Sequence, residues 1–183
     1  MPGICLTFDN DTKLAINRIY QEINDKIGNQ VLKIHEDLEP HFTLLYHSGN
    51  TKIPREEIDK TIDLLSEKYE KRQFKIEGYG IFKRKENFIL YLSTAYDTKF
   101  QEIHQDIWNR LKNYDWITEH YHFSSYVPHL TIPLINSNYD TAVQVLSELL
   151  KSNLTEIILN NNSISYLTGN YANPKVYYSK ELI

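Results

Sequence analysis

One short pattern, present twice, constrains this chain more than any other feature. Pro40-His41-Phe42-Thr43-Leu44 and Pro128-His129-Leu130-Thr131-Ile132 place proline, histidine and threonine at the same offsets, with apolar residues between and after. Given the first copy, the chain's own content of these residues would supply the three identities again with a probability on the order of one per cent. Duplication is the better reading. The surroundings agree, because each half reads helix, strand, helix, strand, strand, behind one leading strand from Gly3 to Phe8.

In the first half, Leu14, Ile16, Ile19, Tyr20, Ile23 and Ile27 recur at helical spacing, with Asn10 to Thr12 as caps and Gly28-Asn29 as the stop. A strand from His41 to His47 follows. Pro54 then opens a second helix whose buried stripe is Ile58, Ile62, Leu65 and Tyr69, ending near Arg72. Phe74 to Phe82 and Phe88 to Thr94 flank the charged turn Lys83 to Asn87 as a hairpin. In the second half, Asp97 caps a helix carrying Ile103, Ile107, Leu111 and Tyr114, and an aromatic loop leads into a strand from about His129 to Ile135. A helix from Tyr139 to Leu150 is expected to turn Val143, Leu146 and Leu150 inward. A strand within Thr155 to Tyr166 and a last strand from Lys175 to Leu182 complete the chain.

No Gly/Ser/Pro-rich linker or run of like charge divides these 183 residues, so residues 1–183 are expected to form a single α+β domain, with structural halves of about 1–95 and 96–183. At this length roughly 70% of the unfolded chain's surface is buried on folding, enough for a core without disulfides. The lone cysteine, Cys5, cannot form an internal bridge and reads as a small buried strand residue. The net charge of -4 gives no global positive field for long nucleic acid, so a nucleic-acid ligand should be short. No stretch approaches a membrane span, and Met1 to Phe8 lacks a basic leader, so a cytoplasmic protein acting as a monomer is expected.

The chemistry follows from strand geometry. Residues two apart on a strand point to the same face, so each copy presents an imidazole beside a hydroxyl, while Phe42, Leu44, Leu130 and Ile132 face the core. Two histidines with ordinary pKa values near 6.5 on opposite sides of a phosphorus supply the base and the acid of an in-line phosphoryl transfer. Threonine hydroxyls would hold the non-bridging oxygens. No Gly-rich phosphate loop accompanies them, so triphosphate use has no support.

The paired motifs, in a chain of this size, resemble the two-histidine (2H) phosphoesterase superfamily, whose bacterial branch is named for a 2'-5' RNA ligase activity. The resemblance implies a bilobal α+β fold with internal pseudo-symmetry and an active-site cleft between lobes, each built of an antiparallel sheet and two helices. It also implies metal-free chemistry on RNA-type phosphoesters, with His41, Thr43, His129 and Thr131 at the catalytic positions and no cofactor. The expected reaction is hydrolysis of a 2',3'-cyclic phosphate or of a short 2'-5'-linked or cyclic oligonucleotide. The alternatives are an RNA end-processing enzyme, trimming 3' ends or joining 2'-5' linkages, and a nucleotide-binding module that does not turn substrate over.

Other side chains invite roles of their own. His47 alternates onto the face of His41 and Thr43, and Tyr121 and Tyr126 belong to the aromatic segment, with Trp116 and Phe123, that could cover the cleft or stack on a base. These three are the candidate substrate-binding residues. His35, His41 and His47 are evenly spaced and His120 and His122 alternate, but no accompanying carboxylate or cysteine pattern makes either a metal site, and none is expected. Lys83-Arg84-Lys85 reads as a solvated hairpin tip rather than a phosphate contact.

Overall fold

The computed structural model describes residues 3–34, 39–46, 53–95, 98–114, 127–170 and 173–183. Among them, helices and strands follow one another as β1 (Gly3–Phe8), α1 (Asn10–Ile27), β2 (His41–Tyr46), α2 (Arg55–Lys68), β3 (Arg72–Arg84), β4 (Asn87–Thr94), α3 (Thr98–Leu111), β5 (His129–Thr131), α4 (Tyr139–Leu149), β6 (Ile158–Asn170) and β7 (Asn173–Glu181). After β1, both halves run helix, strand, helix, strand, strand. The fold is α+β, as the duplicated pattern implied.

The strands form one antiparallel sheet in the order β1-β2-β5-β4-β3-β6-β7, and β6 also pairs with β1, so the hydrogen-bonded order returns on itself. Strands of the two halves alternate: β5 of the second half sits between β2 and β4 of the first. The two motif strands are therefore direct neighbours. Helix α3 packs against β2, α2 against β6 and β7, and α4 against α1 and β4. Phe42 lies at the centre of this packing, with Phe8, Phe74 and Phe100 edge-on to its ring at centroid distances of 5.3, 5.6 and 5.1 Å. Such edge-to-face aromatic pairs add roughly 0.5–1.5 kcal/mol each beyond the area they bury.

Several local expectations are corrected. Asp9, rather than residues 10 to 12, caps α1, its carboxylate accepting the Thr12 N–H at 2.8 Å, while Gly28 ends the helix in the left-handed region as expected. Helix α2 ends at Lys68 because Tyr69 turns extended, and the Lys71 N–H donates to the Ile183 carbonyl. Strand β5 stops at Thr131 instead of reaching Ile135. Pro133 has no N–H for a ladder, and the chain beyond β5 pairs instead with the segment after α1, through a bridge between Leu32 and Leu134. In α4 the buried stripe is Ala142, Val145 and Leu149; Val143 is 42% exposed and Leu150 67%, with Leu146 flanking the core. The expected stripe is one residue out of phase. Asp97, the expected cap of α3, lies outside the described residues.

Candidate active site

Each motif strand begins at its histidine, directly after its proline. Proline disfavours the helical region for the residue before it and holds that residue extended. In the two copies those residues are Glu39 and Val127. Their carbonyl oxygens accept hydrogen bonds from His41 Nδ1 and His129 Nδ1, each at 2.7 Å. A carbonyl can only accept, so Nδ1 carries the proton in both rings and Nε2 is the nitrogen left to titrate. The shared proline thus fixes an imidazole tautomer as well as starting a strand.

Strands β2 and β5 pair antiparallel with Phe42 opposite Leu130, both buried in the core. Antiparallel register then sets His41 across from Thr131 and Thr43 across from His129. All four side chains stand on the face opposite Phe42 and Leu130, with cross-strand neighbours roughly 4.5–5.5 Å apart at Cβ. Imidazole and hydroxyl alternate around a four-cornered patch. The patch joins residues far apart in sequence through one strand pair.

Its two sides differ in chemistry. Beside His129 stand Tyr91, which pairs with Thr131 across β4 and β5, and Phe82 of β3. Their ring centroids lie 5.4 and 5.1 Å from the imidazole, both edge-on, and the two rings stack on each other at 4.3 Å. Gly80, paired with Tyr91, leaves room for this, because a Cβ there would overlap the tyrosine ring. Beside His41 the neighbours are polar. Thr7 pairs with His41 and Cys5 with Thr43 across β1 and β2. Burial pushes the Cys5 thiol up to about 12, against a hydrogen bond with Thr43 that favours the thiolate, so it stays a neutral thiol and a poor nucleophile.

Burial lowers both imidazoles below the ordinary histidine range by disfavouring the charged form. The Glu39 and Val127 carbonyls work in the other direction, and the charge of His129 lowers His41 further, so the two rings sense one another. Lys13 of α1 holds the side chain of Glu39, its ammonium 2.9 Å from both carboxylate oxygens, and so steadies the segment whose carbonyl orients His41.

The structure brings together His41, Thr43, His129 and Thr131. His47, Tyr121 and Tyr126 lie outside the described residues, as do His35, Trp116, His120, His122 and Phe123. Among the described residues no three His, Cys, Asp or Glu side chains gather as metal ligands would, and no helix is long and apolar enough to cross a membrane. Sequence reading missed Phe82, Tyr91, Thr7 and the Lys13–Glu39 pair. It also missed His104 of α3, fully buried, whose Nδ1 donates to the Leu44 carbonyl of the first motif strand at 2.6 Å. For Tyr91 a signal existed in Gly78-Tyr79-Gly80, since glycine inside a strand marks a close approach.

Comparison with known proteins agrees with this architecture. The profile of the 2'-5' RNA ligase superfamily matches residues 15–162, and the chain belongs to that family of two-histidine phosphoesterases. Among solved structures, it is similar to TT0787 of Thermus thermophilus, with a TM-score of 0.60 at 11% identity, covering 99% of this chain and 97% of the other. Escherichia coli LigT complexed with 3'-AMP aligns with a TM-score of 0.58 at 10% identity and the same coverage. Kluyveromyces marxianus Usb1 aligns with a TM-score of 0.53 at 7% identity, again over 99% and 97% of the two chains. These identities speak for the fold alone. No curated protein sequence matches the chain.

Proposed function

We propose that the protein is a phosphodiesterase that hydrolyses a 2',3'-cyclic phosphate, or a short 2'-5'-linked or cyclic oligonucleotide, by general acid/base catalysis with His41 and His129. The observation that carries the reading is the matched pair of imidazoles, each with Nδ1–H tied to a carbonyl and Nε2 left to move a proton. One neutral Nε2 takes a proton from the attacking water as its oxygen bonds to phosphorus. The other ring, protonated, gives its proton to the ribose oxygen as the opposite P–O bond breaks. Thr43 and Thr131 donate to the non-bridging oxygens, where charge grows in the transition state.

The net charge of -4 favours a small nucleotide or short oligonucleotide over long nucleic acid. The 3'-AMP held by the structural relative LigT supports a nucleotide ligand here. The test is a chromatographic hydrolysis panel in excess chelator. It offers 2',3'-cyclic nucleotides, 2'-5' oligoadenylate, 3'-5' RNA and cyclic oligonucleotides to the wild type and to the His41→Ala/His129→Ala double variant. Chelator-resistant turnover that the double variant loses is expected. Turnover that survives in the double variant would overturn the assignment, and tight nucleotide binding without product would replace it with a binding module.

A further inference from the structure

A cavity of about 410 Å³ is lined by Thr7, the cross-strand partner of His41, and by Glu39, whose carbonyl holds the His41 ring, and its walls differ in kind from the aromatic surroundings of His129. Four hydroxyl-bearing residues line it, Thr7 of β1, Ser163 and Ser165 of β6 and Ser179 of β7, with Asn162 among them. We infer that this cavity receives the ribose of the nucleoside on the His41 side of the scissile phosphate, an inference that rests on the phosphodiesterase reading above.

Position supports it first. Thr7 is the cross-strand partner of His41 on the same sheet, so the cavity lies next to that imidazole on the side away from β5. Its volume lies within the roughly 300–1,000 Å³ of small-ligand sites.

Charge then decides against an anion. Among the described residues the cavity's one lysine, Lys13, already holds Glu39 at 2.9 Å, and the Asp9 carboxylate is spent on the α1 cap. Two carboxylates against one ammonium repel a second phosphate. Shape decides against a base, because the only ring among the described lining residues, Phe8, is buried and packed edge-on to Phe42 in the core. A stacking face is found at Phe82 and Tyr91 instead. A neutral group rich in hydroxyls remains.

The hydroxyls are arranged to meet such a group. Ser165 Oγ lies 2.8 Å from both Thr7 Oγ1 and Ser179 Oγ, while Thr7 reaches the Ser163 carbonyl only at 3.4 Å. Thr7 and Ser165 are only 4% and 1% exposed. Three hydroxyls in a row consume two protons in their mutual bonds, and the row can run in either direction. Its end group therefore presents either a proton or a lone pair, which matches a sugar hydroxyl that both donates and accepts.

The experiment is calorimetric titration of two uncleavable phosphonates, in which a methylene replaces the leaving oxygen. One joins the 2'-oxygen of adenosine through phosphorus and a methylene to the C5' of a second adenosine, and the other carries an ethyl group on phosphorus in place of that nucleoside. For the wild type we expect the dinucleoside to bind about tenfold more tightly than the ethylphosphonate, and Ser165→Val to reduce that ratio to near one. Thr7→Val serves as the second variant should Ser165→Val fold poorly. Equal binding of both ligands by the wild type, or an advantage that survives in the folded variants, would overturn the ribose subsite while leaving the two-histidine reading in place. Failure of both ligands to bind would overturn the ribose subsite together with a 2'-5'-linked substrate, while the hydrolysis panel decides the two-histidine reading separately.

Discussion

Phe42 and Leu130 face one another across β2 and β5, and this single pair sets where both histidines stand. With the two apolar residues in the core, period-two alternation puts His41 and His129 on the opposite face, diagonal to one another with a threonine across from each. A slip of one residue in either strand would turn its histidine inward. The core ring of Phe42, wedged among three other phenylalanines, therefore holds the register that builds the site.

Removing either half of the proton transfer should be costly for rate and cheap for folding. His41→Ala and His129→Ala are each expected to lower kcat/KM by roughly 10² to 10⁴, with circular dichroism and melting close to wild type. Their effects should not multiply in the double variant, because acid and base act as a unit. Steady-state kinetics on the substrate found in the hydrolysis panel checks this, and near wild-type rates in both single variants would dismiss the pair.

The pH dependence follows from burial. The base must be neutral and the acid protonated, and in the free protein both imidazoles are held below the ordinary value near 6.5. The bell in kcat/KM should therefore peak on the acid side of 6.5, and a maximum well above 7 would contradict it. The same shifts link to stability. The folded rings bind protons less readily than the unfolded ones, so their contribution is complete above about 6.5 and is lost as pH falls through the folded-state values. Melting temperature should drop between pH 7 and pH 5, and drop less in the His41→Ala/His129→Ala double variant.

Lys13 offers a test of how His41 is oriented. Lys13→Met removes the ammonium that grips both oxygens of Glu39, loosening the carbonyl that receives the Nδ1 proton. A misplacement of about 1 Å can cost on the order of 10²-fold in rate, so a fall of about 10- to 100-fold in kcat is expected, with recovery in Lys13→Arg. Nitrogen NMR of the His41 ring reads the cause directly. The wild type should show the Nδ1–H tautomer, and Lys13→Met should show a mixture, whereas an unchanged tautomer with lowered kcat would assign Lys13 some other role.

How much of this was legible beforehand depends on what kind of information each feature carries. The motif strands, the buried Phe42, Leu44, Leu130 and Ile132, and the order of elements follow from alternation and spacing, which are local. The phase of α4 was not, because Ala142, Val143, Val145, Leu146, Leu149 and Leu150 make most of its circumference apolar, and only packing against α1 and β4 selects a stripe. The short β5 could have been foreseen from Pro133. The partners of the histidines could not. Thr7, Tyr91 and Phe82 reach the site through strand pairings between distant segments, and nothing local to them announces those pairings.

Gly80 gives the last prediction, since its missing side chain is what admits Tyr91. A methyl at this position would collide with the far end of the tyrosine ring, a flexible side chain that can swing away, rather than with backbone. Gly80→Ala should therefore leave the protein folded, with a melting temperature within a few degrees of wild type. It should also displace Tyr91 from its stack on Phe82 and from the edge of His129. With that ring gone, the wall beside His129 loses its flat face, and any ligand that stacks there is held less tightly. KM for a nucleotide substrate should rise by about tenfold, the order of one aromatic stacking contact worth roughly 1–3 kcal/mol, while kcat falls less. Tyr91→Ala should reproduce the change in KM without the glycine substitution. A Gly80→Ala protein with unchanged KM would mean that the aromatic wall shields His129 from water and takes no part in holding the ligand.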